Sequence, residues 1–263
     1  FASLKCPNHV KIHENTMKKV YLLPNLVTTA NLFSGFYSII ASIQFDFVTA
    51  SWAILAGAVF DLLDGRIARM ARATSNFGLE YDSLSDLVSF GMAPGILLYL
   101  WSLNDFGRLG WLTAFLFVTC GALRLARFNA MKGTVSKKSF QGLPIPAAAG
   151  MVATYVIFIY ATQFFSQQMT QNITLGMVFT LSSLMVSTIP FPSFKELNWR
   201  SSASFGYLLI GVLIMILVAV RPEVTLFLVL ALYGVLSLIY AAIRRVLGPA
   251  PGDEVRDIHR HES

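Results

Sequence analysis

From position 61 to position 86 the chain reads DLLDGRIARMARATSNFGLEYDSLSD, and Asp61, Asp64, Asp82 and Asp86 stand there among long apolar runs. A charged side chain at the centre of a bilayer costs roughly 2.5–3.5 kcal/mol even on lenient insertion scales, so such residues persist where they pair, bind a cation or line a wet cavity. On a helical wheel, Asp64, Gly65 and Ala68 fall within about 60° of Asp61, and Asp82 and Asp86 within about 80° of Gly78. Each segment therefore presents two acids beside minimal side chains on one face. Two helices meeting along these faces pool four carboxylates, which cannot all ionise unaided. A hard divalent cation with oxygen ligands, Mg²⁺ or Mn²⁺, resolves the repulsion. Four acids suffice for two such ions, an arrangement suited to in-line displacement at phosphorus. Gly65, Ala68 and Gly78 would let a bulky ligand approach the backbone, and Arg69 and Arg72 follow in the chain to meet phosphate charge.

The elements that must position these acids are membrane helices. Of 263 residues 55% are hydrophobic and 13% charged, where a soluble domain carries about 25% charged residues. The expected fold is all-α, a polytopic helical bundle. Apolar spans are expected at 25–44, 47–70, 77–102, 109–131, 144–165, 173–189, 203–220 and 224–243, about eight in all, each near the ~20 residues a bilayer needs. Residues 1–23 read as an N-terminal segment that is polar at first, without the apolar core of a signal peptide, and that ends in a basic amphipathic approach to the membrane surface. Residues 24–190 hold the acids and form the expected six-helix catalytic core, 191–247 add two helices, and 248–263 form a polar tail.

The cations test this topology. With the N-terminus cytoplasmic, the outer loops hold only Arg108 and Arg221 of the 20 Lys and Arg residues. The positive-inside rule therefore predicts cytoplasmic termini, an even number of spans, and acids near the cytoplasmic surface of the cell membrane. The net charge of +6 follows from that topology and is no sign of nucleic-acid binding. Cys6 and Cys120 fall in a cytoplasmic segment and a span, so no disulfide joins them in this reading.

The pattern D61-x2-D64-G65-x2-A68-R69-x8-G78-x3-D82-x3-D86 resembles the complete signature of the CDP-alcohol phosphatidyltransferase family. Three further stretches resemble its phosphatidylserine synthase branch: EYDSLSDLVSFG at 80–91, GALRLARFN at 121–129 and FQGLPIP at 140–146. The resemblance covers roughly 24–149. It implies CDP-diacylglycerol and L-serine as substrates, two divalent ions on Asp61, Asp64, Asp82 and Asp86, Asp86 as general base, and a homodimer. It also implies a nucleotide pocket shaped by Gly65, Ala68, Arg69 and Gly78, with Asn25, Thr28 and Asn31 as the counterpart of a motif that holds the cytidine diphosphate. Read from residue type alone, those three could equally cap the helix or bond between helices.

Arg124 and Arg127 lie near the cytoplasmic end of the fourth span. They either anchor that end by snorkelling or, with Arg72, meet a lipid phosphate or the acceptor's carboxylate. Gly91-x3-Gly95 permits close helix packing, within the chain or between copies. A serine synthase of the unrelated phospholipase D-like class is excluded, because His9-Val10-Lys11 lacks the downstream Asp and has no second copy. Two alternatives stay open. One is the same chemistry on glycerol 3-phosphate or inositol phosphate. The other is a divalent-cation transporter, disfavoured by the apolar far halves of the spans.

Overall fold

The computed structural model describes residues 22–70, 76–131, 140–187, 190–191, 211, 215, 217 and 219–247. Its helices are α1 (Leu22–Ile43), α2 (Phe47–Met70), α3 (Asn76–Asp86), α4 (Ala93–Leu98), α5 (Arg108–Met131), α6 (Ile145–Thr162), α7 (Gln167–Val186) and α8 (Pro222–Leu247). Two-residue strands, β1 (Phe140–Gln141) and β2 (Pro190–Phe191), pair antiparallel. Six stretches among the described residues are long and apolar enough to cross a membrane: Pro24–Ile43, Phe47–Ile67, Phe77–Phe106, Arg108–Ala130, Ile145–Thr162 and Gln167–Val186. Apart from that short ladder, the described residues form a helical bundle of the polytopic membrane class.

These six follow the expected spans closely, except that the sixth begins earlier. Gln167, Gln168, Gln171 and Asn172 kept that turn out of the apolar window, yet Ser166 accepts the Met169 amide and starts the helix there. Of the last two expected spans, 203–220 lies mostly outside the described residues. The other falls within α8, which packs on α6 of its own chain: Phe227 meets Tyr155 and Phe158, and Gly234 abuts Met151. The segments 1–21 and 248–263 lie outside the described residues.

The first helix inverts the pattern of a soluble bundle. On α1, Thr28, Asn31, Gly35, Ser38 and Ser42 recur at helical spacing and are buried, while Leu26, Phe33, Phe36 and Tyr37 face outward. Small and weakly polar residues let backbones come close where lipid supplies no hydrophobic drive between helices. At Gly35 an added Cβ would land on the Ser89 backbone, and Gly57 of α2 leaves room for the Asn31 amide. The α1–α2 hairpin turns at Phe45 with a left-handed backbone (φ 61°). Asp46 then caps α2 through the Thr49 amide (3.1 Å), and hydrogen bonds from the Thr49 side chain and amide hold its carboxyl below the usual range.

The span from Phe77 to Phe106 is not a regular helix. It widens into π-helical turns at Leu87–Met92 and Tyr99–Leu103. Pro94 cannot donate to the turn before it, and the Ala93 amide reaches back five residues to the Val88 carbonyl. Phe90, Leu97, Leu98 and Phe117 fill the core around this span. Gly95 takes α5 against it: an added Cβ would sit 2.8 Å from Val118 Cγ2. The Gly91-x3-Gly95 pair thus serves packing within the chain.

Gly95→Leu should destabilise the protein by about 1–3 kcal/mol through overpacking, whereas Gly176→Ala, on an exposed face of α7 with open space around it, should be neutral or gain up to about 1 kcal/mol. Thermal unfolding in detergent separates the two.

Candidate active site

The up-and-down course of the helices brings the start of α1, the end of α2, the start of α3, the end of α5 and the end of α7 to one end of the bundle. The acids gather there. One carboxylate oxygen each from Asp61, Asp64 and Asp82 lie within 4.8 Å of one another. Asp64 is 6% exposed and Asp86 8%, while Asp61 and Asp82 are half-buried. Oxygens this close, on helix ends that exclude most water, repel unless a proton or cation intervenes. The donor set is all carboxylate, which suits a hard divalent cation such as Mg²⁺ or Mn²⁺.

The acid-bearing helices α2 and α3 scarcely touch, and α1 packs against both. Thr28 Oγ1 lies 3.0 Å from Asp64 Oδ2 and 3.1 Å from the Pro24 carbonyl. Asn31 Nδ2 donates to Asp86 Oδ1 at 3.2 Å. Both residues were expected in the nucleotide pocket; here their side chains hold acids. Asn25 is half-buried, and its carbonyl accepts from the Thr29 hydroxyl. Next to Asp82, Tyr81 stacks on Phe77 and shares a hydrogen bond with Thr29 (2.9 Å).

Gly65 follows Asp64, and among the described residues nothing lies within 4 Å of the position a Cβ would take there, which leaves room beside the acids for a ligand. Gly78 is half-buried on α3. Ala68 and Arg69 lie in α2 but their side chains, like the whole of Arg72, fall outside the described residues.

The two arginines of α5 part company. Arg124 is 9% exposed, is in electrostatic contact with Asp86 and Asp61, and its Nε has no hydrogen-bond acceptor among the described residues. Arg127, nearer the helix end, donates from Nη1 to the Val186 carbonyl (2.9 Å) and from Nη2 to the Ser187 carbonyl (3.1 Å). It therefore closes the C-terminus of α7, where carbonyls lack partners. Gly142, at φ 82°, fits beneath the Met185 and Ser187 carbonyls, and the Leu143 amide donates to the Leu184 carbonyl. Asn129 adds a bond to Ser83 (2.9 Å) and ties α5 to the acidic helix α3.

The family profile described as CDP-alcohol phosphatidyltransferase matches residues 21–189. The chain belongs to that family. The match takes in α1 through α7, and with them every described acid of the cluster. Within the family the chain is 42% identical, over 226 residues, to a protein of Helicobacter pylori (strain J99) named CDP-diacylglycerol–serine O-phosphatidyltransferase; the alignment covers 86% of this chain and 91% of that one. It is 40% identical over 172 residues to the archaetidylserine synthase of Methanothermobacter thermautotrophicus, covering 65% and 69%. A Saccharomyces cerevisiae protein named CDP-diacylglycerol–serine O-phosphatidyltransferase is 33% identical over 205 residues, covering 70% and 63%.

Sequence reading missed the serines and the tyrosine around the acids. Ser85 and Ser89 were visible only as part of a resembling stretch, though their four-residue spacing places them on one side of the helix that bears Asp82 and Asp86.

If the carboxylates form a cation site, Asp61→Asn and Asp64→Asn should each weaken Mn²⁺ binding by about 10-fold or more. Titration of the detergent-solubilised protein followed by electron paramagnetic resonance reads free Mn²⁺ directly; unchanged affinity in both variants would place the ion elsewhere.

Proposed function

We propose that this chain transfers the phosphatidyl group of CDP-diacylglycerol to the hydroxyl of L-serine, giving phosphatidylserine and CMP. The observation that carries the reading is the convergence of Asp61, Asp64 and Asp82 within 4.8 Å beside an open Gly65 backbone. The names of the relatives support serine as the acceptor.

Asp61, Asp64 and Asp82, with Asp86 contributing, would hold one or two ions of Mg²⁺ or Mn²⁺. Bound there, such ions neutralise charge on the transferring phosphorus and on the CMP leaving group. The chain's own groups do the rest. Asp86, held by the Asn31 amide, takes the proton of the serine hydroxyl as its oxygen bonds to phosphorus and the anhydride P–O bond to CMP breaks. A carboxylate is a weak base for an alcohol, so its contribution comes from position and from late proton transfer. Gly65, Ala68, Arg69 and Gly78 shape the nucleotide pocket, with Asn25, Thr28 and Asn31 at its edge. Arg72 meets phosphate charge, and Arg124 donates to the serine carboxylate from the Nε–H that has no acceptor among the described residues.

The acyl chains enter from the bilayer between helices. The distribution of Lys and Arg supports an active end and both termini on the cytoplasmic side of the cell membrane, where serine is dissolved. Family resemblance supports a homodimer.

Purified protein supplied with CDP-diacylglycerol and Mn²⁺ or Mg²⁺ should release CMP with L-serine, and not with glycerol 3-phosphate, inositol phosphate or no acceptor. Asp86→Asn should lower kcat at least ~10²-fold. Release with another acceptor would overturn serine; steady release without acceptor would overturn direct displacement.

The arginines give a second expectation. Arg124→Gln should raise KM for serine by about 10-fold or more, having removed a charge-assisted bond. Arg127→Gln should act first on stability, lowering it by about 1–3 kcal/mol as the α7 terminus loses its donors. Serine titrations paired with thermal unfolding check both.

A further inference from the structure

The contacts of α1 with the acidic helices α2 and α3, and with the turn that follows α3, form a repeated pattern. Thr28 bonds Asp64 through its hydroxyl, and its backbone carbonyl accepts from Ser85 Oγ (3.1 Å). Three residues on, Asn31 bonds Asp86 through its amide, and its carbonyl accepts from Ser89 Oγ (2.9 Å). Each α1 residue thus faces an acid with its side chain and a serine with its backbone. Ser85 and Ser89 are both fully buried.

The second contact is the tighter one. Ser89 lies in the π-helical turn Leu87–Met92, and Gly35 lets it approach until an added Cβ would overlap the Ser89 backbone. The turn follows directly on Asp86. A widened turn alters the angular relation between residues before and after it. Ser89 thus meets, from within the widened turn, the backbone of the α1 residue that stands beside Asp86.

We infer that Ser85 and Ser89 are positioning residues, which act through the α1 backbone on Asp64 and Asp86 respectively; the inference rests on the phosphatidyl-transfer reading of the site. Neither serine touches substrate in this role. The bonds set where Thr28 and Asn31 stand, and those residues set where the carboxylates point. Small displacements of a reacting group carry large rate penalties, so a latch of two hydroxyls is enough to matter.

A double-mutant cycle tests it. Ser89→Ala should lower kcat for serine-dependent CMP release by about 10-fold, with KM for CDP-diacylglycerol and the unfolding temperature little changed. In an Asn31→Ala background the same change should cost less than about 2-fold, since the group it acts through is gone. Ser89→Cys, of similar volume and a weak donor, should recover part of the loss and stands in should the alanine variant not fold. Ser85→Ala should weaken Mn²⁺ binding about 3-fold or more by freeing Thr28 and Asp64, read without substrate by electron paramagnetic resonance. An unchanged kcat in Ser89→Ala, or an equal loss with and without Asn31, overturns the role of Ser89. Unchanged Mn²⁺ affinity overturns that of Ser85. The Mn²⁺ titration needs no turnover, so a wild-type protein that releases no CMP would count against the transfer reading alone.

Discussion

Like charges gathered at the end of a low-dielectric bundle push apart, and the rest of this structure answers to that repulsion. Asp61, Asp64 and Asp82 approach within 4.8 Å with Asp86 nearby, on helices that do not pack on one another. A helix pair held by its own contacts could relax by splaying. Here α1 lies against both and takes a bond from each side, to Asp64 through Thr28 and to Asp86 through Asn31. Arg124 supplies a buried positive charge and offsets part of the repulsion. What remains is a strong local demand for cations.

The packing rules follow from the same need. Carboxylates can converge only if backbones do. The buried stripe of α1 is accordingly small or weakly polar, and glycines stand where helices cross: Gly35 over Ser89, Gly57 beside Asn31, Gly95 against α5. At the far side of the site, Arg127 and Gly142 bind the terminus of α7 to α5 and to the start of α6, which keeps Arg124 at the height of the acids.

The fold was legible because lipid imposes a length and a composition on each span. The sixth span began late in the sequence reading because its first two turns are rich in Gln, and a cap by one serine outweighs local hydropathy. The acids were legible because four of them in apolar sequence have few physical explanations. The second set of partners was not. Helical spacing places Thr28 and Asn31 on one face of α1, but which face meets which acid depends on the crossing of α1 with α3, which no local pattern encodes. Arg124 and Arg127 illustrate the same limit: three residues apart on one helix, they differ by about 60° in direction, and that decides between an acid cluster and a helix terminus. The π-helical turn after Asp86 had Pro94 as its visible cause, but no sign of where the extra residue would be accommodated.

The family match closes at residue 189, and α8 begins at Pro222, joined to the bundle through α6 and the short β2 and remote in its contacts from α2 and α3. Its aromatic contact sets Phe227 against Tyr155 and Phe158. The acid-bearing helices therefore depend on α8 only at one remove, through α6.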